Sequence, residues 1–446
     1  MNNFKIAAAV ALAIGSTAAR QTAFAAPPTA AQCAHGTAAA ELYVAGSSAA
    51  QPSFATALAN DLFDSNGETT IAAPKVTGSA NGNFKSYCGF AKAGNGAGIA
   101  TGAVTNVYYR GEGGSVVGAL PIVSGQPVKF LDLTASGCAV TNPSVVGLSV
   151  NVGTTDGWSG CVTEHAVEMG VTDLEPTVFV PPNYPSAYST TVFGSASKAQ
   201  LAALTKTELF QQVFGLFVNT SGINGGAVGQ AVDLSRETVA QILAGNYTDW
   251  SAVPTSTGGA VSSVSQPITI VNREAGSGTR TGATTYFLGT NCNTAYQLSL
   301  FDPSPGSDGY ATGDVLATAA STPGAITYAS IDNNGAQANL TMVSLSGISP
   351  TNLAATSGAY DWWFEATAQK GNITSAGGTG IYNWLIGGEL ANLATAPHAK
   401  DINVIPNLGT NGTAVPVHSS TVGGVTIYVN PFTRSGNSCK YPVETN

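Results

Sequence analysis

Short β-prone runs that end in glycine and serine, each followed by a stretch of helical spacing, recur along this chain. No other feature restricts its fold as strongly. E-L-Y-V-A-G-S-S (41–48) reads as a strand entering a glycine turn, and P-S-F-A-T-A-L-A-N-D-L-F (52–63) as an amphipathic helix, with Phe54, Leu58 and Leu62 spaced by four. Helical spacing returns at 198–209, 235–243 and 381–393, and V-F-G-L-F-V, P-I-T-I-V, G-A-I-T-Y-A and V-T-I-Y-V between or beyond them read as strands. Strands alternating with helices predict an α/β architecture with largely parallel sheets. Two glycine- and serine-rich stretches without helical period, 77–100 and 123–165, read as insertions.

The chain has 446 residues, more than one core usually supports, so two domains are expected. It opens with MNNFK, an apolar core of about ten residues and Ala23-Phe24-Ala25, the pattern of a secretory signal peptide (1–25) cleaved after Ala25. A loose leader over 26–40 follows. Export suits the six cysteines, an even number in an oxidising compartment; Cys138 and Cys161 bracket one polar segment and are the expected local pair. Charged residues make up only 9%, the net charge is −9, and basic residues form no cluster. Nucleic acid and anionic membranes are therefore poor partners. The four histidines are scattered and no C-x-x-C occurs, so no metal and no cofactor are expected.

Within this weakly charged chain, V-N-R-E-A-G-S-G-T-R-T-G (271–282) places Arg273 and Arg280 around a G-S-G-T turn between a strand and a helix. Helix-start N–H groups lack intrahelical partners and carry the positive end of the helix dipole, so such a turn can bind an anion. Ser277 and Thr279 add hydroxyl donors, Gly278 lets the backbone approach closely, and Arg273 offers a forked cationic clamp. The plain alternative is a serine-capped helix. Three further elements share the setting. V-A-G-S-S-A-A-Q-P-S-F (44–54) offers Ser48 as a cap or a donor. V-Y-Y-R-G-E-G-G-S-V-V-G (107–118) offers Ser115. V-E-M-G-V-T-D-L-E-P-T (167–177) ends a strand-like run at Asp173.

Taken in order, these four elements resemble the motifs of PstS-type periplasmic phosphate-binding proteins. V-A-G-S-S-A-A-Q-P resembles the family's G-A-G-A-T-F-P-A-P, and V-Y-Y-R-G-E-G-G-S its N-Y-Q-G-x-G-S-S-G-G. V-E-M-G-V-T-D is similar to V-D-F-G-A-S-D, and V-N-R-E-A-G-S-G-T to V-x-R-x-D-G-S-G-T. L-S-R-E-T-V-A-Q-I-L-A-G-N-Y-T-D-W (234–250) and G-A-I-T-Y-A (324–329) resemble two further family segments, so the likeness runs collinearly over most of 42–395. It implies a two-lobed periplasmic-binding-protein type II fold with a hinge: lobe I over about 41–178, lobe II over 179–365, and a return to lobe I with a C-terminal extension over 366–446. It also implies phosphate ligands. Ser48 takes the position of a hydroxyl donor and Ala49 that of a backbone N–H donor. Ser115, or Gly114 in the adjacent register, takes the second-loop position, and Asp173 that of the acceptor for protonated phosphate. Arg273, Ser277, Gly278 and Thr279 take the positions of the second lobe. The implied protein is a monomer that binds inorganic phosphate or a related oxyanion for an ABC transporter permease, and is not an enzyme. Rival readings are a DING-type phosphatase, which a phosphate-ester assay separates, and a secreted surface protein of this fold with another ligand or an adhesive role. Ala49 in place of an aromatic residue, and Glu112 beside the second loop, are departures from the family pattern.

Overall fold

The computed structural model describes residues 28–444 apart from 30, 73–83, 133–138, 141–147, 152–161, 182, 185–193, 227–228, 293–296, 303–308, 310, 391–404, 407–418, 423–424 and 429–430. The first strands are β1 (Ala40–Gly46), β2 (Phe63–Ala72), β3 (Phe84–Ala91) and β4 (Val104–Arg110). After them come β5 (Val128–Leu131), β6 (Ala139–Val140), β7 (Leu148–Asn151), β8 (Val162–His165) and β9 (Met169–Thr172). The chain continues with β10 (Lys206–Asn219), β11 (Asp233–Leu234), β12 (Thr269–Ile270) and β13 (Ala325–Ser330), then β14 (Leu340–Met342), β15 (Ser344–Leu345), β16 (Trp363–Lys370) and β17 (Ile405–Pro406). The helices α1 (Gln51–Ala57), α2 (Leu120–Ser124), α3 (Lys198–Ala202) and α4 (Arg236–Leu243) precede α5 (Gly278–Leu288), α6 (Thr312–Ser321), α7 (Asn352–Thr356) and α8 (Ala376–Trp384).

One sheet runs in the order β12-β13-β10-β16-β9-β1-β4-β3-β2-β7-β6 among the described residues, with β14 and β17 also on β10. The α/β class holds, but the sheet is mixed rather than largely parallel. β1 pairs in parallel with both β4 and β9, and β12 with β13. By contrast β10 runs antiparallel to β13 and β16, and β3 antiparallel to β4. The long β10 explains the two-lobed plan. Its Lys206–Val213 portion pairs with β16, and its Phe214–Val218 portion with β13, so one strand crosses from one parallel unit to the other. β16 makes the return crossing and pairs with β9.

Burial follows the two-residue period of a pleated strand. In β1, Tyr43 and Ala45 join one apolar cluster, which continues through Phe214, Tyr328 and Trp362. Leu42 and Val44 face a second cluster with Phe54, Val107 and Ile381. Burying a side chain of this size contributes about 1.5–3 kcal/mol.

Several local expectations are corrected. The helix expected over 198–209 ends at Ala202, and its last residues belong to β10, because pairing with β16 begins at Lys206. Cross-strand pairing overrides the helical propensity of Lys206, Glu208 and Leu209 there. The helix expected over 381–393 starts earlier, at Ala376 behind a Ser375 cap, and continues past Trp384 as a wider turn to Glu389. The stretch expected to be a loose leader is held by its C-terminal part. Cys33 is buried and disulfide-bonded to Cys88, and its carbonyl accepts from Asn106 Nδ2 (2.6 Å) and the Tyr108 hydroxyl (2.9 Å). A second disulfide, Cys292–Cys439, ties the C-terminal segment to the end of α5's loop. The expected Cys138–Cys161 pair and the signal segment lie outside the described residues. Both insertions contain strands: β3 lies in the main sheet beside β4, and β5 pairs with β8.

Candidate functional site

In a parallel sheet all strands point the same way, so ligands collect where their C-terminal ends open together. β1, β4 and β9 are three adjacent parallel strands, in register at Ala45↔Arg110 and Gly46↔Val171. Their ends carry Ser47-Ser48, the Gly111–Gly118 loop and Asp173 to one edge. In the other unit β12 runs out through Val271 to Arg273 and the start of α5. The two edges meet. Glu274 Oε1 accepts from Gly113 N (3.0 Å), and Val116 N donates to Gly276 O (3.0 Å). Gly114, at φ +69°, sits so close that a β-carbon there would lie 2.7 Å from Ser277 Cα.

Between these edges lie the residues singled out from the sequence. Arg273, 1% exposed, donates from Nη2 to Ser48 Oγ and from Nη1 to Thr312 Oγ1, both at 3.1 Å. Asp173 is 2% exposed and held from both sides: the Ser47 hydroxyl donates to Oδ1 and the Ser115 hydroxyl to Oδ2 at 3.2 Å, while Asp173 N donates back to Ser115 Oγ (3.1 Å). Burial pushes the Asp173 carboxyl up, and the Ser47 bond, Arg273 and Ser115 pull it down. Gly278 lies directly beside this pair, since a β-carbon on it would fall 2.3 Å from Asp173 Oδ2 and 2.3 Å from Ser115 Oγ. Thr279 is 1% exposed, and its Oγ1 has no partner among the described residues. A buried hydroxyl left unpaired costs about 1–3 kcal/mol unless a ligand satisfies it.

Ser277 and Ala49 stand at the rim in other roles. Ser277 caps α5, its side chain accepting from Arg280 N (3.3 Å), which is the plain alternative weighed from sequence. Ala49 is buried and its carbonyl accepts from Gln212 Nε2 (3.1 Å). The second arginine of the G-S-G-T stretch does not enter the cluster. Arg280 donates to Arg273 O (2.7 Å) and pairs with Asp302 (3.1 Å), so it fixes the strand end that presents Arg273.

Sequence reasoning missed Ser47, Thr312 and Glu274. Ser47 holds Asp173, accepts from Ala50 N (2.9 Å), and its carbonyl accepts from the Tyr109 hydroxyl (2.6 Å). The Ser47-Ser48 doublet was the available signal, because neighbouring residues at a strand end face opposite ways and serve different partners. Glu112, a departure noted above, pairs with Arg110 at 3.1 Å and so is partly neutralised.

Two expected results follow from this packing. Gly278→Ala should displace Asp173 or Ser115 and lower stability by about 1–3 kcal/mol, as overpacking does, read as a fall in the denaturation midpoint. A midpoint equal to that of the parent would contradict the close approach. Burial, reinforced by Glu112 and opposed by Arg273, pushes the Glu274 carboxyl up to about 8 from 4.5. The folded chain therefore keeps a proton that the unfolded chain releases between those values. Its contribution to stability is full below about 4.5 and lost as pH rises towards 8. Glu274→Gln, which is neutral throughout, should flatten the decline of thermal midpoint between pH 5 and 8. An unchanged slope would show that Glu274 is already ionised at pH 5.

The strand-end geometry is that of an α/β chain with a buried polar cluster built around one arginine and one carboxylate. Residues 195–376 match the family model described as a PBP superfamily domain. No curated protein matches the chain. Among solved structures, it is similar to a Clostridium perfringens protein provisionally described as a phosphate ABC transporter substrate-binding protein with bound phosphate (15% identity, 82% of this chain and 99% of that chain covered, TM-score 0.44). It is also similar to a phosphate-binding protein from Stenotrophomonas maltophilia (15%, 88% and 88%, TM-score 0.42). A third is an ABC-type phosphate transport receptor from Vibrio cholerae (14%, 77% and 93%, TM-score 0.39).

Proposed function

We propose that this protein is an exported solute-binding protein that captures inorganic phosphate between its two lobes, for uptake by an ABC-type transporter. The observation that carries the reading is the meeting of Arg273 with Ser48 between the two strand-end edges, beside Asp173 and a Thr279 hydroxyl with no partner among the described residues. Arg273 would neutralise most of the anion's charge, and the hydroxyls of Ser48, Ser115, Ser277 and Thr279 with the backbone N–H groups of Ala49 and Gly278 would supply neutral donors. Asp173 would accept the proton of HPO₄²⁻. Contacts from both lobes to one ligand would favour the closed arrangement over an open one. Lobe I would comprise about 41–178 and 366–446, and lobe II about 179–365. The two disulfides suit an oxidising compartment, in keeping with cleavage after Ala25 and a periplasmic or secreted monomer that delivers phosphate to a permease.

The test is calorimetric titration of the chain after unfolding and refolding have stripped bound ligand. One phosphate per chain, no response to sulfate and no turnover of a phosphate ester are expected. Absence of phosphate binding in a folded sample would overturn the reading, and ester turnover would move it to a phosphatase.

A further inference from the structure

Away from the cleft, α4, the C-terminal end of α5 and the disulfide-tied C-terminal segment enclose a second cavity of about 600 Å³. That is within the range of small-molecule sites, roughly 300–1,000 Å³. Ala240, Phe287 and Leu288 give it an apolar wall, and Arg236, Lys440 and Tyr441 line it from the polar side. The cation is unusually well arranged for a ligand. The Arg236 guanidinium lies 3.9 Å from the centre of the Tyr286 ring, with the Tyr441 ring 5.8 Å from it. Its Nε donates to Tyr286 O at 3.1 Å and its Nη2 to the same oxygen, which fixes the plane of the fork. Nη1 makes no hydrogen bond among the described residues. Tyr441 is 69% exposed, one of few large apolar-bodied side chains so placed.

The charged residues that line the cavity are mostly positive in a chain whose total is −9. Arg236, Arg434 and Lys440 line it against Glu237 alone. Arg434 is not free to bind a ligand, because it donates to the carbonyls of Trp363 (3.0 Å), Lys440 and Asp361. It holds the C-terminal segment in place instead, as does the Cys292–Cys439 disulfide, whose two cysteines are part of the lining. The wall is therefore covalently tied to α5's loop, and the cavity is preformed.

We infer that this cavity is a second ligand site, for a small planar aromatic carboxylate. The carboxylate would take Arg236 Nη1 and the Lys440 ammonium, and the ring would lie on the Tyr441 side against the apolar wall. Arginine suits a carboxylate through charge-assisted hydrogen bonds, and stacked rings suit a planar guest. The site shares no residue with the phosphate site, and phosphate affinity is the measure of any coupling between them through α5.

The test is titration of the full-length protein with 4-hydroxybenzoate, followed by calorimetry and by saturation transfer to the ring protons, with 4-hydroxybenzamide as the uncharged control. Binding of the acid is expected, weakened roughly tenfold or more by Arg236→Gln and by Tyr441→Ser and at least tenfold weaker for the amide, losses of the size expected for one charge-assisted contact. Phosphate affinity should be the same in both variants, which also reports that they are folded. The inference is overturned if 4-hydroxybenzoate shows no binding at millimolar concentration, if both variants bind it as the parent does, or if the amide binds equally well.

Discussion

Arg273→Ala is expected to weaken phosphate binding by two to three orders of magnitude, a loss of about 3–4 kcal/mol, as measured by calorimetry. Arg273 bonds directly to the Ser48 and Thr312 hydroxyls, and it is nearly completely buried, so water cannot replace its charge. Bonds to Ser48 and Thr312 hold the guanidinium from Nη2 and Nη1. A dianion entering between Arg273 and Ser48 would exchange a neutral acceptor for a charged one, which roughly doubles the strength of each hydrogen bond. Arg273→Lys should recover only part of the affinity, because an ammonium keeps the charge and loses the fork. Alanine and parent proteins of equal phosphate affinity would remove Arg273 from the site.

The second large effect concerns selectivity. An ionised Asp173 only accepts hydrogen bonds, so it welcomes an anion that carries a proton and repels one that does not. Sulfate at neutral pH has no proton to give, whereas HPO₄²⁻ has one. Burial raises the Asp173 carboxyl above its ordinary value, and the Ser47 bond, Arg273 and the Ser115 bond work against that rise in favour of the ionised form. Asp173→Asn replaces the charge by an amide that donates and accepts. Sulfate affinity is expected to rise and phosphate affinity to fall, so that the ratio between them shrinks by about a hundredfold or more. Paired titrations of parent and variant measure that ratio, and a ratio unchanged in the variant would show that Asp173 does not read the ligand's proton.

Much of the cleft could be read from the sequence because its parts are local. A strand followed by G-S-S, by G-G-S or by G-S-G-T is a strand end with small donors, whatever lies far away in the chain. That is why Ser48, Ser115, Asp173, Arg273 and Gly278 were found, and the structure brings all five together. Ser277 was legible too, with capping as its observed contact. What escaped depends on distant pairing. The start of β10 at Lys206 is set by β16, more than 150 positions later in the sequence order of the pairing Lys206↔Gln369. Cys33 is fixed by Cys88, Asn106 and Tyr108, none of which its own neighbourhood announces. Glu274 bridges to Gly113 across the cleft, and a glutamate between Arg273 and Ala275 has no local sign of that partner. Arg280 flanks G-S-G-T with no role assigned from sequence, and its contacts are to Arg273 O and Asp302.

The most direct test of the central claim is a crystal structure of the stripped protein grown with saturating phosphate. A tetrahedral anion is expected between the two lobes, bonded to Arg273 and the hydroxyls of Ser48 and Thr279, with one oxygen on Asp173. Phosphate bound elsewhere, with Arg273 still on Ser48 and nothing on Asp173 but Ser47 and Ser115, would contradict it.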